Sequence, residues 1–251
     1  MLTTKQPAPN QPDTQKAATD QKAAVTLAID IGGSGIKVIL LDAAGQPLGE
    51  RARLKTPSPA KPETVMDAIA KLAADQPAFD RASVGFPGVV RHGITYTAVN
   101  LDKSWVNYPL AERLTQRLNC PVRVANDADI QGFGAISGEG VELVITLGTG
   151  FGSALFVNGH LVPNLEMAHH RFRKAESYED QLGRAALERV GKEKWNRRLQ
   201  KAMDSLGHLF NYDHLYIGGG ETKHITLKLP PNAAIVPNVL GLLGGIALWR
   251  E

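Results

Sequence analysis

The chain places two glycine-rich turns directly after apolar, strand-like runs, and this repetition restricts its fold more than any other feature. The first is Asp30-Ile31-Gly32-Gly33-Ser34-Gly35-Ile36-Lys37 and the second is Thr146-Leu147-Gly148-Thr149-Gly150-Phe151-Gly152. Another apolar run follows each, so each reads as a turn between two strands. Glycine lets backbone N–H groups approach a phosphate with no side chain in the way, and its positive φ aims successive amides inward. One such turn is an ordinary turn former. Two in matching settings point to a chain that cradles phosphates and transfers a phosphoryl group. Neither has the G-x-G-x-x-G spacing of dinucleotide sites or the Walker ending in Gly-Lys-Ser/Thr.

Composition narrows the remaining classes. With 251 residues, 43% hydrophobic and 21% charged, the chain can build one large domain or two small ones with real cores. A net charge of +3 gives no general case for nucleic-acid binding. The single cysteine, Cys120, excludes an internal disulfide framework and a multi-cysteine zinc site, and suits a reducing cytoplasm. Residues 1–24 are rich in Gln, Thr, Pro, Lys and Ala and read as a disordered tail, with no secretory leader and no room for a helix-turn-helix domain. The most apolar stretch, Ala233 to Trp249, is broken by Pro237, Asn238 and three glycines, which argues against a membrane span.

The remaining pattern alternates strands and helices, the mark of an α/β protein. Strands are expected at 25–31, 36–42, 83–90 with a break at Phe86-Pro87-Gly88, and 121–125, with helices at 62–76 and 109–119. In the second half, strands are expected at 142–147, 153–157, 160–162, 213–217 and 234–236. Asn158-Gly159 supplies a hairpin turn. One helical region is expected over about 177–210 and a last helix after Asn238. Because the order repeats, two similar lobes with a cleft between them are expected: residues 25–125, residues 126–237, and a C-terminal helix at 238–251 packing back on the first lobe.

Five blocks carry a family resemblance: Asp30 to Lys37, Gly85-Phe86-Pro87-Gly88-Val89-Val90-Arg91-His92-Gly93, Asn100-Leu101-Asp102-Lys103-Ser104-Trp105, Asn126-Asp127-Ala128-Asp129 and Thr146 to Gly150. In this order they resemble the ROK sugar kinases, whose fold is two actin-like, ribonuclease H-like α/β lobes around a central cleft. The Asp-Lys-Ser-Trp block and Pro57-Ser58-Pro59 are similar to the polyphosphate glucokinase branch. The resemblance implies a cytoplasmic, often homodimeric enzyme that moves a phosphoryl group from inorganic polyphosphate or ATP, with Mg²⁺, to the 6-hydroxyl of glucose or a similar hexose. No nucleic-acid or membrane partner is implied.

The same resemblance assigns roles. Asp127, at a strand-to-helix junction, is the expected base, the plain alternative for Asn126-Asp127 being a helix cap. Asp30 is the expected Mg²⁺ ligand. Gly32, Gly33 and Ser34 in the first loop and Gly148, Thr149 and Gly150 in the second are the expected phosphate contacts. Asn126, Glu166 and His169 are expected to hold the sugar, with Asn100 and the Gly88 backbone as further contacts. The Glu166-Met167-Ala168-His169 block departs from the family's Glu-x-Gly-His: Ala168 replaces glycine, and His170-Arg171-Phe172 follows where relatives carry an acidic residue two places after the histidine. That departure keeps open a sugar-sensing protein without turnover.

The residues themselves add a donor hypothesis. Lys194, Arg197, Arg198 and Lys201 share one helical face opposite Trp195, Leu199, Ala202 and Leu206. A basic stripe of this kind is ordinarily a solvated surface, yet with Lys103, Arg91, Arg171, Arg173 and Lys174 it could form a track for a polyanion. Alternation along Ile36 to Leu40 favours a structural Lys37 on a solvent face, with a phosphate contact as the less favoured alternative. Gly218-Gly219-Gly220-Glu221 keeps ATP open as the donor.

Overall fold

The computed structural model describes residues 24–98, 101–237 and 240–250. All but the last residue of the expected N-terminal tail, together with Asn100, lies outside them.

The first sheet starts with the hairpin β1 (Thr26–Ile31) and β2 (Ile36–Leu41), followed by a short strand β3 (Ala52–Leu54) that the sequence pattern did not show. Helix α1 (Pro62–Ala74) carries the chain to β4 (Arg81–Phe86). A small hairpin, β5 (Val90–Arg91) and β6 (Ile94–Thr95), and helix α2 (Leu110–Leu118) precede β7 (Val122–Asn126). The order across the sheet is β3-β2-β1-β4-β7, with β1 antiparallel to β2 and parallel to β4. Val65, Ile69 and Leu72 of α1 and Leu110 and Leu114 of α2 are buried on one face, where they meet Leu27, Ile29, Val84 and Phe86. The helical spacing of these residues therefore marks core, as burial of roughly 2 kcal/mol per large apolar side chain would favour.

Helix α3 (Asp127–Ala135) then leads into a second sheet of β8 (Val141–Leu147), β9 (Phe151–Val157) and β10 (His160–Val162). A hairpin of β11 (Arg171–Arg173) and β12 (Glu176–Ser177) opens onto α4 (Tyr178–Leu182), α5 (Arg184–Val190) and α6 (Lys192–Phe210). After these come β13 (His214–Gly218) and β14 (Ala233–Ile235). The strand order is β10-β9-β8-β13-β14, and the antiparallel and parallel pairings repeat those of the first sheet. The expected helical region over about 177–210 consists of three helices, because the chain turns at Gly183 and at Gly191, whose φ is +75°. Positive φ is cheap for glycine and ends α5 at that point.

The chain closes with α7 (Leu240–Leu243) and a 3₁₀ turn over Gly244–Trp249, which pack on α3 and on the outer face of β1 and β4. Ser83 Oγ donates to the Gly245 carbonyl at 2.7 Å and accepts from Trp249 Nε1 at 2.8 Å. Gly244 lies so close to the Ile130 carbonyl that a Cβ there would overlap it. The segment is thus tied at once to the first sheet and to α3. None of the helices among the described residues is long and apolar enough to cross a membrane.

Candidate active site

The two glycine turns and the start of α3 meet at a cavity of about 630 Å³ between the sheets. Asp30, Gly32, Gly33 and Ser34 line it from the first lobe, and Gly148, Thr149 and Gly150 from the second. Asn126, Asp127, Gly88, Glu166 and His169 also line it. Most of the expected site residues are therefore brought together from segments far apart in the chain.

Asn126 ends β7 and caps α3: its Oδ1 accepts from the Ala128 amide at 2.8 Å and the Asp129 amide at 3.3 Å, and its Nδ2 donates to the Gly88 carbonyl at 3.2 Å. The cap in Asn126-Asp127 is the asparagine, which leaves Asp127 on the cavity wall with only Oδ1 engaged, by the Ala128 amide at 2.8 Å. Burial pushes the Asp127 carboxyl up to about 7, the charge of Asp30 adds to that rise, and the Ala128 amide opposes it. Asp129, two residues on, is buried, and its carboxyl is likewise raised to about 7 by burial and then by Asp127 and Glu166. One of its oxygens has no hydrogen-bond partner among the described residues.

Each loop closes on itself before it offers amides. In the first, the Gly32 amide donates to the Gly35 carbonyl at 3.1 Å, and Thr56 Oγ1 donates to the Gly32 carbonyl at 2.5 Å. In the second, the Gly148 amide donates to the Gly150 carbonyl at 3.1 Å and the Gly152 amide to Thr146 Oγ1 at 3.1 Å. The amides of Gly33, Ser34, Thr149 and Gly150 are left without a partner among the described residues. These are the groups a phosphate chain needs.

Asp30 is not alone at the end of β1. Lys37, directly across the hairpin, donates to Asp30 Oδ2 at 2.6 Å and lines the same cavity, so the expectation of a solvent-facing lysine is corrected. Alternation gives the face of the sheet, but Asp30 and Lys37 lie at its end, where that face becomes the cleft wall.

Ser153 Oγ fixes the segment carrying Glu166, donating to the Leu165 carbonyl at 2.6 Å and accepting from the Met167 amide at 3.3 Å. Burial raises the Glu166 carboxyl, while His169 draws it down and Glu179 pushes it up. Ala168 has no positive φ, so its extra methyl imposes no backbone strain beside His169. Its carbonyl accepts from the Glu179 amide at 3.0 Å. Phe172 stacks on Tyr178 with centroids 4.6 Å apart, and Glu179 lines the same cavity, where its Oε2 accepts from the Phe151 amide at 3.1 Å.

Two wall residues had no clear sequence signal, Glu179 and Arg184. Both fall in the stretch that the sequence marks only as a helical region. Lys103, Arg197 and Arg198 do not line the cavity. Lys103 is exposed on a 3₁₀ turn, and Arg197 is exposed beside Glu193 at 3.9 Å. Arg198 is buried, with Nη1 donating to the Gln181 carbonyl at 3.3 Å, because α4 covers that side of α6; the continuous basic stripe is corrected accordingly.

The sequence profile of the ROK family matches residues 26–169, which hold both loops, Asp127 and Glu166. The chain belongs to the ROK family. Within ROK, it is 33% identical to a polyphosphate glucokinase of Mycobacterium tuberculosis over 236 residues, 86% of this chain and 88% of that protein. It is also similar to the crystal structure of an inorganic polyphosphate/ATP-glucomannokinase from Arthrobacter sp. strain KM, with a TM-score of 0.82 and 37% identity over 90% of this chain and 100% of that one. A ROK glucokinase from Streptomyces griseus, crystallised with glucose and AMPPNP, shares the fold at 21% identity and a TM-score of 0.74, covering 89% of this chain and 98% of that one. The fold is accordingly the actin-like α/β fold of ROK sugar kinases.

Proposed function

We propose that this chain is a polyphosphate-dependent glucokinase that phosphorylates the 6-hydroxyl of glucose. The observation that carries this reading is Asp127, a carboxylate titrating near neutrality between two glycine loops with unpaired amides. A base is most effective when its pKa lies near the working pH. The similarity to a polyphosphate glucokinase and a polyphosphate/ATP-glucomannokinase supports the substrate pair.

Glu166, His169 and the Gly88 turn held by Asn126 orient the hexose, and Asp127 accepts the proton of its 6-hydroxyl. The sugar oxygen forms a bond to the terminal phosphorus as the bridging P–O bond breaks, and the shortened phosphate chain leaves with that electron pair. The loop amides of Gly33, Ser34, Thr149 and Gly150 stabilise the charge on the transferred group. Among the described residues no cluster of three or more His, Cys, Asp or Glu side chains forms a metal cage. The donor set nevertheless fits Mg²⁺, which is commonly held by one or two carboxylates together with substrate phosphates, because Asp30 pairs with Lys37 through Oδ2 alone. Bound there, Mg²⁺ supplies charge neutralisation for the phosphates. The cytoplasm and a homodimer belong to the same proposal.

ATP is the second reading, favoured by the dual donor use named for the Arthrobacter protein. The test is a coupled dehydrogenase assay of glucose 6-phosphate with Mg²⁺ and either long-chain polyphosphate or ATP. Turnover mainly with polyphosphate supports the proposal, turnover with ATP alone replaces it by the second reading, and glucose binding with neither turnover points to a sensor.

A further inference from the structure

Four carboxylates line the cleft, Asp30, Asp127, Glu166 and Glu179, and a condensed phosphate entering it meets their combined field. The lining lysine and arginine are Lys37 and Arg184, and Lys37 gives its ammonium to Asp30. Arg184 differs. Its Nε donates to Glu221 Oε1 at 2.6 Å, its side chain is half exposed, and neither Nη nitrogen has a partner among the described residues. The pair is built onto the second glycine loop: the Arg184 amide donates to the Gly148 carbonyl at 2.9 Å and the Glu221 amide to the Leu147 carbonyl at 3.0 Å. Glu221 is buried, and its other oxygen stands 3.5 Å from His224 Nε2.

Resting on the kinase reading, we propose that Arg184 is a contact residue for the phosphoryl donor, taking a phosphate beyond the transferred one, and that Glu221 positions it. A guanidinium held through Nε cannot swing freely, and its two Nη groups keep the parallel N–H pair that fits two phosphate oxygens. A simple brace between α5 and the turn after β13 would need neither a cleft position nor free donors. Arg184 thus keeps two Nη donors unengaged beyond its own ion pair, whereas Lys37 gives its ammonium to Asp30.

Steady-state kinetics of R184Q, R184K and E221Q, with tripolyphosphate and long-chain polyphosphate, test the assignment. R184Q should raise the donor KM about tenfold or more, with glucose KM and Tm close to wild type, and R184K should recover part of the loss. E221Q should raise donor KM less, and should add nothing in the R184Q background, since it acts through the guanidinium. Unchanged donor KM in folded R184Q overturns the proposal, as does an equal rise in glucose KM or full additivity of the two changes. Calorimetric titration with tripolyphosphate separates this idea from the kinase reading. If wild type turns over no donor yet binds tripolyphosphate more tightly than R184Q, the contact stands and the kinase reading falls; equal binding by both overturns the contact.

Discussion

Lobe one and lobe two present their glycine loops at the same point of the same strand order, but they furnish them with different chemistry. The next-to-last residue of the leading strand is Asp30 in one and Thr146 in the other, and their partners across the hairpin are Lys37 and Gly152. The first pair is ionic at 2.6 Å, and the second is a hydroxyl accepting an amide at 3.1 Å. The helices that follow the last strands differ as well: α3 begins with Asp127, whereas α7 spans Leu240–Leu243 without a charged residue. A duplicated scaffold therefore sets where the backbone amides stand, and in the function proposed here single side chains decide where base and metal ligand sit. Fold follows from the shared topology, while function follows from the asymmetry.

The largest expected effect comes from removing the asymmetry at α3. Asp127→Asn should lower kcat by about 10³-fold, within the usual range for loss of a general base, while glucose binding by calorimetry stays close to wild type. A mild loss would mean that the carboxylate does not take the proton. Next, Asp30→Thr gives the first loop the residue that the second has at that place. It should cost about 10²-fold in kcat/KM and raise the Mg²⁺ concentration needed for half-maximal rate, measured by metal titration of initial rates. Unaltered metal dependence would remove Asp30 from the metal-ligand role.

The raised carboxyls of Asp127 and Asp129 give α3 a pH signature. If Asp127 is the base proposed here it must be ionised, so kcat/KM should fall about tenfold per pH unit below about 7. Stability runs the other way. Folded Asp129 keeps its proton to about 7, whereas an unfolded carboxyl loses it near 3.8. The native state binds more protons in that window, and this contribution to stability declines as pH rises through it. Asp129→Asn should accordingly gain about 1–3 kcal/mol over wild type at pH 8 and far less at pH 4, read from thermal melts. The smallest effect belongs to Arg197→Glu, on the exposed side of α6, which should change donor KM by less than about twofold for tripolyphosphate or ATP.

Local pattern made most of the scaffold legible in the sequence. Apolar runs around glycine turns gave both hairpins, and Val65, Ile69, Leu72, Leu110 and Leu114 gave the core faces of α1 and α2. Residues that reach the cavity wall where such a run ends were also readable, among them Asp30, Asn126 and Asp127. What stayed hidden depends on distant contacts. Arg184 and Glu221 are separated by 37 positions and meet only because both are tied to the Leu147-Gly148 step. Arg198 shares a helical face with Arg197 by spacing, yet α4 lies over it. The short strand β3 and the hairpins β5–β6 and β11–β12 have too few residues for alternation to declare them.

Phosphorus-31 NMR of the wild-type protein with glucose, Mg²⁺ and long-chain polyphosphate tests the central claim most directly. The account predicts a growing phosphomonoester resonance of glucose 6-phosphate matched by loss of polyphosphate phosphorus, with the same mixture silent for Asp127→Asn. Product formed equally well by Asp127→Asn, or no phosphomonoester from wild-type protein that binds glucose, would contradict it.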